Sequence, residues 1–145
     1  MYKHILIATD GSELARKAVT QGLALAKAIG ACVTAVTVTE PWATMVPPEV
    51  LNEPFVQDFE RAAAERAKRI LDVVAAAAKE ANVACSTLHI RDRFPAEGIL
   101  EAAGGVGCDL IVMASHGRRG VAKLLLGSQA TEVLTHSVGP VLVCR

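Results

Sequence analysis

The chain has 145 residues, which matches the commonest size of a single domain and is long enough to bury a substantial core. Fifteen basic and fifteen acidic side chains cancel, which excludes the electrostatic footprint of a non-specific DNA or RNA binder, and 52% apolar residues exclude general disorder. With only 3% aromatic residues, the core must consist of Val, Ile, Leu and Ala, which favours helices laid on a sheet. We expect one domain spanning residues 1–145 and no nucleic-acid partner.

The amino-terminal segment and the cysteines indicate a cytoplasmic protein. The apolar run within residues 1–10 stops at a charge and is too short for a signal peptide with its cleavage site. No uncharged apolar stretch reaches the roughly 18 residues of a membrane helix, so no membrane contact is expected. Four scattered cysteines without a Cys-x-x-Cys pair predict buried, reduced thiols rather than a metal site, namely Cys32, Cys85, Cys108 and Cys144.

The first two predicted elements are a buried strand and an amphipathic helix. Residues 4–9 show no polar face, which predicts a strand buried on both sides. Ser12 is a good N-cap for a helix that ends at Gly30. The apolar face of this helix is marked by Leu14, Ala18, Leu25 and Ile29.

Four further predicted strands alternate with helices. The strands are expected at 32–38, 83–90, 109–114 and 140–144, and the helices at about 55–81, 95–103 and 128–137. In the longest helix, apolar residues recur at helical spacing, at Phe59, Ala63, Ile70, Val74 and Ala78. This alternation implies a doubly wound α/β fold, a five-stranded parallel sheet with helices on both faces. Ligands of such sheets bind beyond the carboxyl ends of the strands, which makes the loops after the first and fourth strands the candidate site.

The connection 40–54 is longer than most loops inside compact domains. It contains Trp42, Met45 and four prolines, which are Pro41, Pro47, Pro48 and Pro54. A stiff surface loop would explain this composition, and so would a lid or a partner contact; the sequence favours neither.

The segment after the fourth strand has the composition of an anion site. It is rich in glycine and basic residues, and the pair Gly127-Ser128 opens the last helix. Glycines let the backbone approach a ligand, and a helix start directs unpaired N–H groups outward. Ser128 adds a hydroxyl group, and positive charge comes from Arg118, Arg119 and Lys123. Phosphate binding is favoured over ordinary helix capping, which would also explain a Gly-Ser pair.

The same segment resembles the nucleotide-binding pattern of the universal stress protein family, Gly-x2-Gly-x9-Gly-Ser/Thr. Here it begins at Ala114, reaches Gly117 three residues later, and after nine residues continues with Gly127-Ser128. Residues 7–12, IATDGS, and 139–143, GPVLV, also resemble the family, so the similarity covers essentially the whole chain. The resemblance implies a Rossmann-like fold with strand order 3-2-1-4-5. It also implies an ATP-binding stress-response regulatory module, with or without Mg²⁺.

The resemblance implies a role for each matching residue. Asp10 would bond the ribose hydroxyls, although an Asp-Gly pair after a strand is also common turn chemistry, and the two roles are compatible. Ala8 and Thr9 would line the same pocket, Val38 would meet adenine through its backbone, and Met113 would pack near the adenosine. The phosphates would be held by Gly117, Gly127, Ser128 and the N–H of Gln129. The composition of the segment, rather than the resemblance, adds His116 as a hydrogen-bond donor near the phosphates and Arg118 as a cation.

Ala114 departs from the family pattern, which has glycine at its first position. Its methyl group would project where the ATP binders of the family have none. The family includes binders and non-binders, so a dimeric stress-response interaction module without nucleotide stays open as an alternative. Any ATP hydrolysis or self-phosphorylation should be slow, because a Walker lysine and an evident carboxylate set for Mg²⁺ are absent from the sequence. No catalytic role is predicted for His116, since the other histidines are scattered.

The fifth strand ends the chain and is expected at a sheet edge. Val141 and Val143 would leave an apolar, unpaired edge, which proteins usually cover. Pairing of two copies would cover it, and the family resemblance points the same way. We expect a homodimer through Val141, Leu142 and Val143, together with an unidentified protein partner that responds to the bound nucleotide.

Overall fold

A computed structural model of the chain describes residues 1–117 and 125–145. Its strands are β1 (His4–Ala8), β2 (Cys32–Thr39), β3 (Cys85–Arg91), β4 (Leu110–Ala114) and β5 (Val141–Cys144). Its helices are α1 (Glu13–Ile29), α2 (Glu53–Glu80), α3 (Pro95–Val106) and α4 (Ser128–His136). The connection between β2 and α2 contains two short 3-10 turns, Trp42–Thr44 and Pro48–Val50. Every predicted strand and helix is present, with ends that differ by three residues or fewer.

The five strands form one parallel sheet in the order β3-β2-β1-β4-β5. This confirms the predicted doubly wound fold and its strand order. The chain leaves β1 toward β2 on one side and returns to β4 on the other, so the order reverses between β1 and β4. Their carboxyl ends therefore lie side by side and frame the crevice where ligands of such sheets bind.

Two hydrophobic clusters cover the two faces of the sheet. On one face, α1 and α2 pack over Ile5, Ile7 and other strand residues, and we call this the α1–α2 layer. On the other face, α3 and α4 pack over Leu6 and its neighbours, and we call this the α3–α4 layer. Because successive side chains of a strand point to opposite faces, neighbouring residues belong to different layers. Ile5, Leu6 and Ile7 are all 0% exposed, so β1 is buried on both sides as predicted.

The predicted ends of α1 are confirmed, but its predicted buried face is partly wrong. The hydroxyl of Ser12 accepts a hydrogen bond from the N–H of Ala15 at 3.2 Å, and Gly30 ends the helix with φ of 71°. Leu14 and Leu25 are only half-buried and Ile29 is 40% exposed. The buried residues are instead mostly small, namely Ala15, Ala18, Val19, Gly22, Leu23 and Ala26.

Close approach of α1 to the sheet explains this difference. A Cβ atom at Gly22 would lie 2.6 Å from Cδ1 of Ile7, so the helix backbone packs directly on β1. Large side chains do not fit between such closely packed layers and are displaced to the margins.

The helix α2 is buried along only part of its predicted apolar face. Val74 and Ala78 are buried against the sheet, together with Ala67 and Leu71. Nearer the amino terminus of the helix, Phe59, Ala63 and Ile70 are half-buried and border a cleft at the carboxyl edge of the sheet.

The cysteines are free, but the prediction that all four are buried is wrong. Cys144 is buried, Cys85 and Cys108 are half-buried, and Cys32, the first residue of β2, is exposed. Burial raises the pKa of the thiols of Cys85, Cys108 and Cys144. Within residues 1–117 and 125–145, no cluster of three His, Cys, Asp or Glu side chains could hold a metal ion. None of the helices in these residues is long and apolar enough to cross a membrane.

Candidate functional site

The carboxyl ends of β1, β2 and β4 open into a cleft of about 820 Å³. Its walls come from α1 and α2 on one side of the sheet and from α3 and α4 on the other. Its volume falls within the roughly 300–1,000 Å³ that small-molecule sites occupy. The cleft therefore has the position and the size of a ligand site in a doubly wound sheet.

The structure brings eleven of the twelve predicted nucleotide-binding residues together in this cleft. They are Ala8, Thr9, Asp10, Val38, Met113, Ala114, His116, Gly117, Gly127, Ser128 and Gln129. The twelfth, Arg118, lies outside the described residues, as do Arg119 and Lys123. The individual roles of these residues stay predictions.

The turn between β1 and α1 is held by short side-chain hydrogen bonds. Oδ1 of Asp10 accepts from the N–H of Ser12 at 2.9 Å, and Oγ1 of Thr9 accepts from the N–H of Gly11 at 3.2 Å. Gly11 has φ of 78°, which only glycine adopts at little cost. Oδ2 of Asp10 faces the other loop, since a Cβ atom at Gly117 would lie 2.9 Å from it. Asp10 thus shapes the turn and also directs a carboxylate oxygen toward the glycine-rich segment.

A backbone hydrogen bond joins the two ends of the glycine-rich segment. The N–H of Gly127 donates to the carbonyl of Ser115 at 2.8 Å, and the N–H of Ser115 donates to the carbonyl of Cys144 at 2.8 Å. A Cβ atom at Gly127 would lie 2.6 Å from that Ser115 oxygen. Glycine is therefore required at position 127 by the close approach of two backbone segments.

The amino terminus of α4 presents backbone N–H groups at the cleft. Gly127 is its N-cap and supplies no side-chain acceptor, so the N–H groups of the first turn need a partner from outside the helix. Oε1 of Gln129 accepts from the N–H of Ala96 at 2.8 Å, which fixes α4 against the start of α3. A helix start of this kind carries partial positive charge and favours an anion.

Ser115 belongs to the site although the sequence analysis assigned it no role. It is 4% exposed, lines the cleft, and its Oγ lies 3.1 Å from Nδ1 of His116. Its position inside the glycine-rich segment was the available signal. The hydrogen bond holds the His116 ring at the edge of the cleft.

The methyl group of Ala114 lies on the opposite face of the sheet from the side chains of Ala8 and Met113. Ala114 is 8% exposed and belongs to the cluster of the α1–α2 layer. Ala8 and Met113 belong to the cluster of the α3–α4 layer, and Val38 packs against it. The methyl group is therefore accommodated within the α1–α2 layer, although Ala114 also borders the cleft.

The side of the cleft that faces α2 was not predicted. It is lined by Thr37 and Thr39 of β2 and by residues of α2, among them Phe59, Ala63, Arg66 and Ile70. We call this side of the cleft the α2 lobe. The available sequence signal was the helical spacing of Phe59, Ala63 and Ile70, which predicted an apolar helix face but no part of a ligand site. Met45 and Glu40 also line the cleft, so the connection between β2 and α2 borders the site.

His89 of β3 forms a hydrogen bond with a threonine that lines the α2 lobe. Nε2 of His89 lies 2.7 Å from Oγ1 of Thr39, one of the threonines that line the lobe. Burial, and secondarily the positive charge of Arg91, lowers the pKa of His89. The neutral ring is thus the favoured form beside Thr39.

Comparison with known proteins places these features in a family. The model of the universal stress protein family matches residues 1–145. A Thermus aquaticus protein, described as a universal stress protein in the QAH/OAS sulfhydrylase 3′ region, is 39% identical over 145 residues and covers 100% of both chains. The solved universal stress protein UspA of Lactobacillus plantarum is 25% identical with a TM-score of 0.86, covering 99% of this chain and 98% of its own.

Two more distant solved structures share the fold and hold a nucleotide. A universal stress protein in complex with cAMP is 23% identical, with a TM-score of 0.70 and coverage of 99% and 97% of the two chains. The universal stress protein of Archaeoglobus fulgidus in complex with dAMP is 16% identical, with a TM-score of 0.61 and coverage of 99% and 98%. The family match over all 145 residues and the 39% identical relative establish the assignment: this chain belongs to the universal stress protein family.

Proposed function

We propose that the cleft binds an adenine nucleotide, ATP with or without Mg²⁺, and that the single domain acts as a nucleotide-responsive regulatory module of the stress response. The observation that carries this proposal is the meeting of the β1–α1 turn, Gly117, Gly127 and the amino terminus of α4, whose N-cap residue has no side chain, in one cleft. The complexes of two family members with cAMP and dAMP support an adenine nucleotide as the ligand class.

A regulatory role suits the residues of the cleft better than rapid catalysis. Among the described lining residues, the carboxylates are Asp10 and Glu40, and none is a lysine. Asp10 also holds the β1–α1 turn through Ser12. Phosphoryl transfer depends on cations and a positioned nucleophile. We therefore propose that bound ATP is held, with at most slow hydrolysis or self-phosphorylation, and that an unidentified protein partner responds to the bound state.

The first experiment is to denature freshly purified protein and identify any released nucleotide by chromatography. Calorimetric titration with ATP, cAMP and dAMP, with and without Mg²⁺, then ranks the ligands. Recovered ATP or a clear binding heat supports the proposal. An empty cleft, no binding heat and no thermal shift at millimolar ATP would contradict it.

Ala114 favours a second candidate function, a dimeric interaction module without nucleotide. Ala114→Gly tests it directly, because it restores the glycine of the family pattern. If the methyl group blocks the site, the variant binds ATP and the wild-type chain does not. Equal affinities of the two proteins would remove this argument for the second function.

We also propose that the chain is a homodimer through β5. This strand pairs with β4 on one side and forms an edge of the sheet on the other. Leu142 is 39% exposed on the strand, and two apolar residues of the adjoining α4 region are more exposed, Leu134 at 43% and Val138 at 108%. An apolar edge of this kind is usually covered, and a second copy covers it with two-fold symmetry. The cytoplasmic location stays a prediction.

A further inference from the structure

The cleft extends to both sides of the carboxyl edge of the sheet, and the two sides differ in chemistry. Ala8, Val38 and Met113 belong to or pack against the α3–α4 layer, which also supplies the amino terminus of α4. Thr37 and Thr39 point to the other side, because they alternate with Val36 and Val38 along β2. None of the predicted nucleotide-binding residues is Thr37, Thr39 or one of the α2 residues that line the lobe.

Three apolar side chains of α2 form the wall of the α2 lobe. Phe59, Ala63 and Ile70 recur at helical spacing, line the cleft and are half-buried. Deeper along the same face, Val74 and Ala78 are buried against the sheet. The apolar stripe of α2 therefore continues past the sheet edge and leaves hydrophobic surface facing the cleft.

One cation stands beside this apolar wall. Arg66 is the only arginine, and there is no lysine, among the described residues that line the cleft. It is exposed and lies one turn from both Ala63 and Ile70, so its guanidinium group can reach the mouth of the lobe. At the floor, Thr37 is 4% exposed and adds a hydroxyl group. Within the part of the chain that the structure describes, the lobe thus combines an apolar wall, the cation of Arg66 at its rim and the hydroxyl group of Thr37 at its floor.

We propose that the α2 lobe is a second binding site of the cleft, and that it takes an aliphatic carboxylate. The alkyl chain packs against Phe59, Ala63 and Ile70, and the carboxylate binds Arg66. A guanidinium group matches the planar carboxylate with two parallel hydrogen bonds. Arg66 supplies the positive charge that pairs with the carboxylate. This site does not depend on nucleotide binding on the other side of the sheet edge.

Octanoate is the probe for the test, with octan-1-ol as its uncharged counterpart. Calorimetry measures both ligands on the wild-type chain, on Arg66→Gln and on the matched control Arg69→Gln, which changes an exposed arginine of the same helix outside the cleft. We expect Arg66→Gln to weaken octanoate binding about ten-fold, because a charge-assisted hydrogen bond is lost. Arg69→Gln should bind octanoate as the wild type does, and octan-1-ol should not distinguish the three proteins.

Isoleucine methyl resonances identify which side of the cleft is occupied. Ile70 borders the cleft from α2 and Ile99 borders it from α3. We expect octanoate to shift the δ1-methyl resonance of Ile70 and to leave that of Ile99 in place, with or without ATP present.

Three results would overturn this proposal: no binding of octanoate, equal loss in both arginine variants, or shifts confined to Ile99. Failure of ATP to bind would contradict the proposed function alone, because the octanoate measurements are made without nucleotide.

Discussion

At the scale of single residues, Gly127 is the position where the backbone of the site is most tightly constrained. Its φ of −62° suits any residue, so a substitution is opposed mainly by the contact with the Ser115 carbonyl oxygen, at 2.6 Å from an added Cβ atom. We expect Gly127→Ala to lower the free energy of unfolding by about 1–3 kcal/mol, as overpacking typically does. It should also weaken ATP binding, because the start of α4 must shift. Urea unfolding and calorimetry measure the two effects.

Gly104 provides the matched control for that substitution. It lies in α3, it is exposed, and a Cβ atom there would meet nothing within 4 Å. Gly104→Ala should therefore raise the free energy of unfolding by about 0.5–1 kcal/mol, because alanine is the better helix former. Equal effects of the two alanine variants would show that the Ser115 contact does not constrain position 127.

His89 should make the stability of the chain depend on pH. Its pKa is lowered in the folded state by burial first and by Arg91 second. The unfolded state therefore binds its proton at a higher pH than the folded state does. The contribution of neutral His89 to the free energy of unfolding is complete above the ordinary histidine pKa of about 6.5. It is lost as the pH falls from that value toward the lowered pKa. We expect the urea midpoint of the wild type to fall over this range and that of His89→Gln to fall less.

His136→Gln is the control for this pH series. His136 lies in the last turn of α4 with 60% of its side chain exposed, beside Glu132 and far from the hydrogen bond between His89 and Thr39. A pH profile flattened equally by both substitutions would contradict a specific contribution of His89.

At the scale of elements, Asp109 ties the start of β4 to the start of β1. Its carboxylate accepts from the N–H of Lys3 at 2.9 Å and from the N–H of His4 at 3.1 Å. These bonds, that from Lys3 first, lower the pKa of Asp109, and partial desolvation opposes them. The stabilisation is complete above the ordinary pKa of the carboxyl group and is lost as the pH falls through the lowered pKa.

Asp109→Asn tests this tie between the strands. The variant should lose less stability than the wild type when the pH is lowered from about 5 to about 3, because it has no carboxylate to protonate. Urea unfolding at each pH gives the comparison. Asp58→Asn, on the exposed side of α2 with 74% side-chain exposure, is the control and should follow the wild-type profile.

The elements could be predicted from the sequence because each carries a local signal. The apolar run of β1, the Ser12 cap and the Gly30 ending of α1 depend on neighbours in the chain. The buried face of α1 could not be read this way, since the close approach at Gly22 is a property of two layers. For the same reason the helical spacing of Phe59 predicts only that it lies on the apolar face of α2, although Phe59 borders the cleft at the edge of the sheet.

At the scale of the whole molecule, the glycine motif and the β1–α1 turn predicted where the cleft would form. Their residues are separated by about a hundred positions and meet because the strand order reverses beside β1. The α2 lobe was missed because no motif marks it. Which side chains line the second side of a sheet edge depends on where α2 lies relative to the ends of the strands, which is a property of the packed layers and not of the helix alone.

The proposed dimer is tested at this scale by charged substitutions on β5. Leu142→Lys and Val143→Lys should convert dimers to monomers, because a lysine at an apolar interface must lose its hydration. Size-exclusion chromatography with light scattering measures the mass, and circular dichroism checks that the fold is retained. Val73→Lys, at an apolar position of α2 that is 62% exposed, should leave the mass unchanged. Persistence of the dimer in both β5 variants, or a monomeric wild type, would contradict this interface.

The position of Trp42 determines what fluorescence reports about this chain. It is the only tryptophan of the sequence, and it lies in the first 3-10 turn between β2 and α2, outside both hydrophobic clusters. Its emission therefore follows the local order of this connection, whereas far-ultraviolet circular dichroism follows the helices. Surface segments open at lower free energy than core elements. In one urea titration, the emission should change before the ellipticity, and the gap between the two curves measures how independently the rim of the cleft opens.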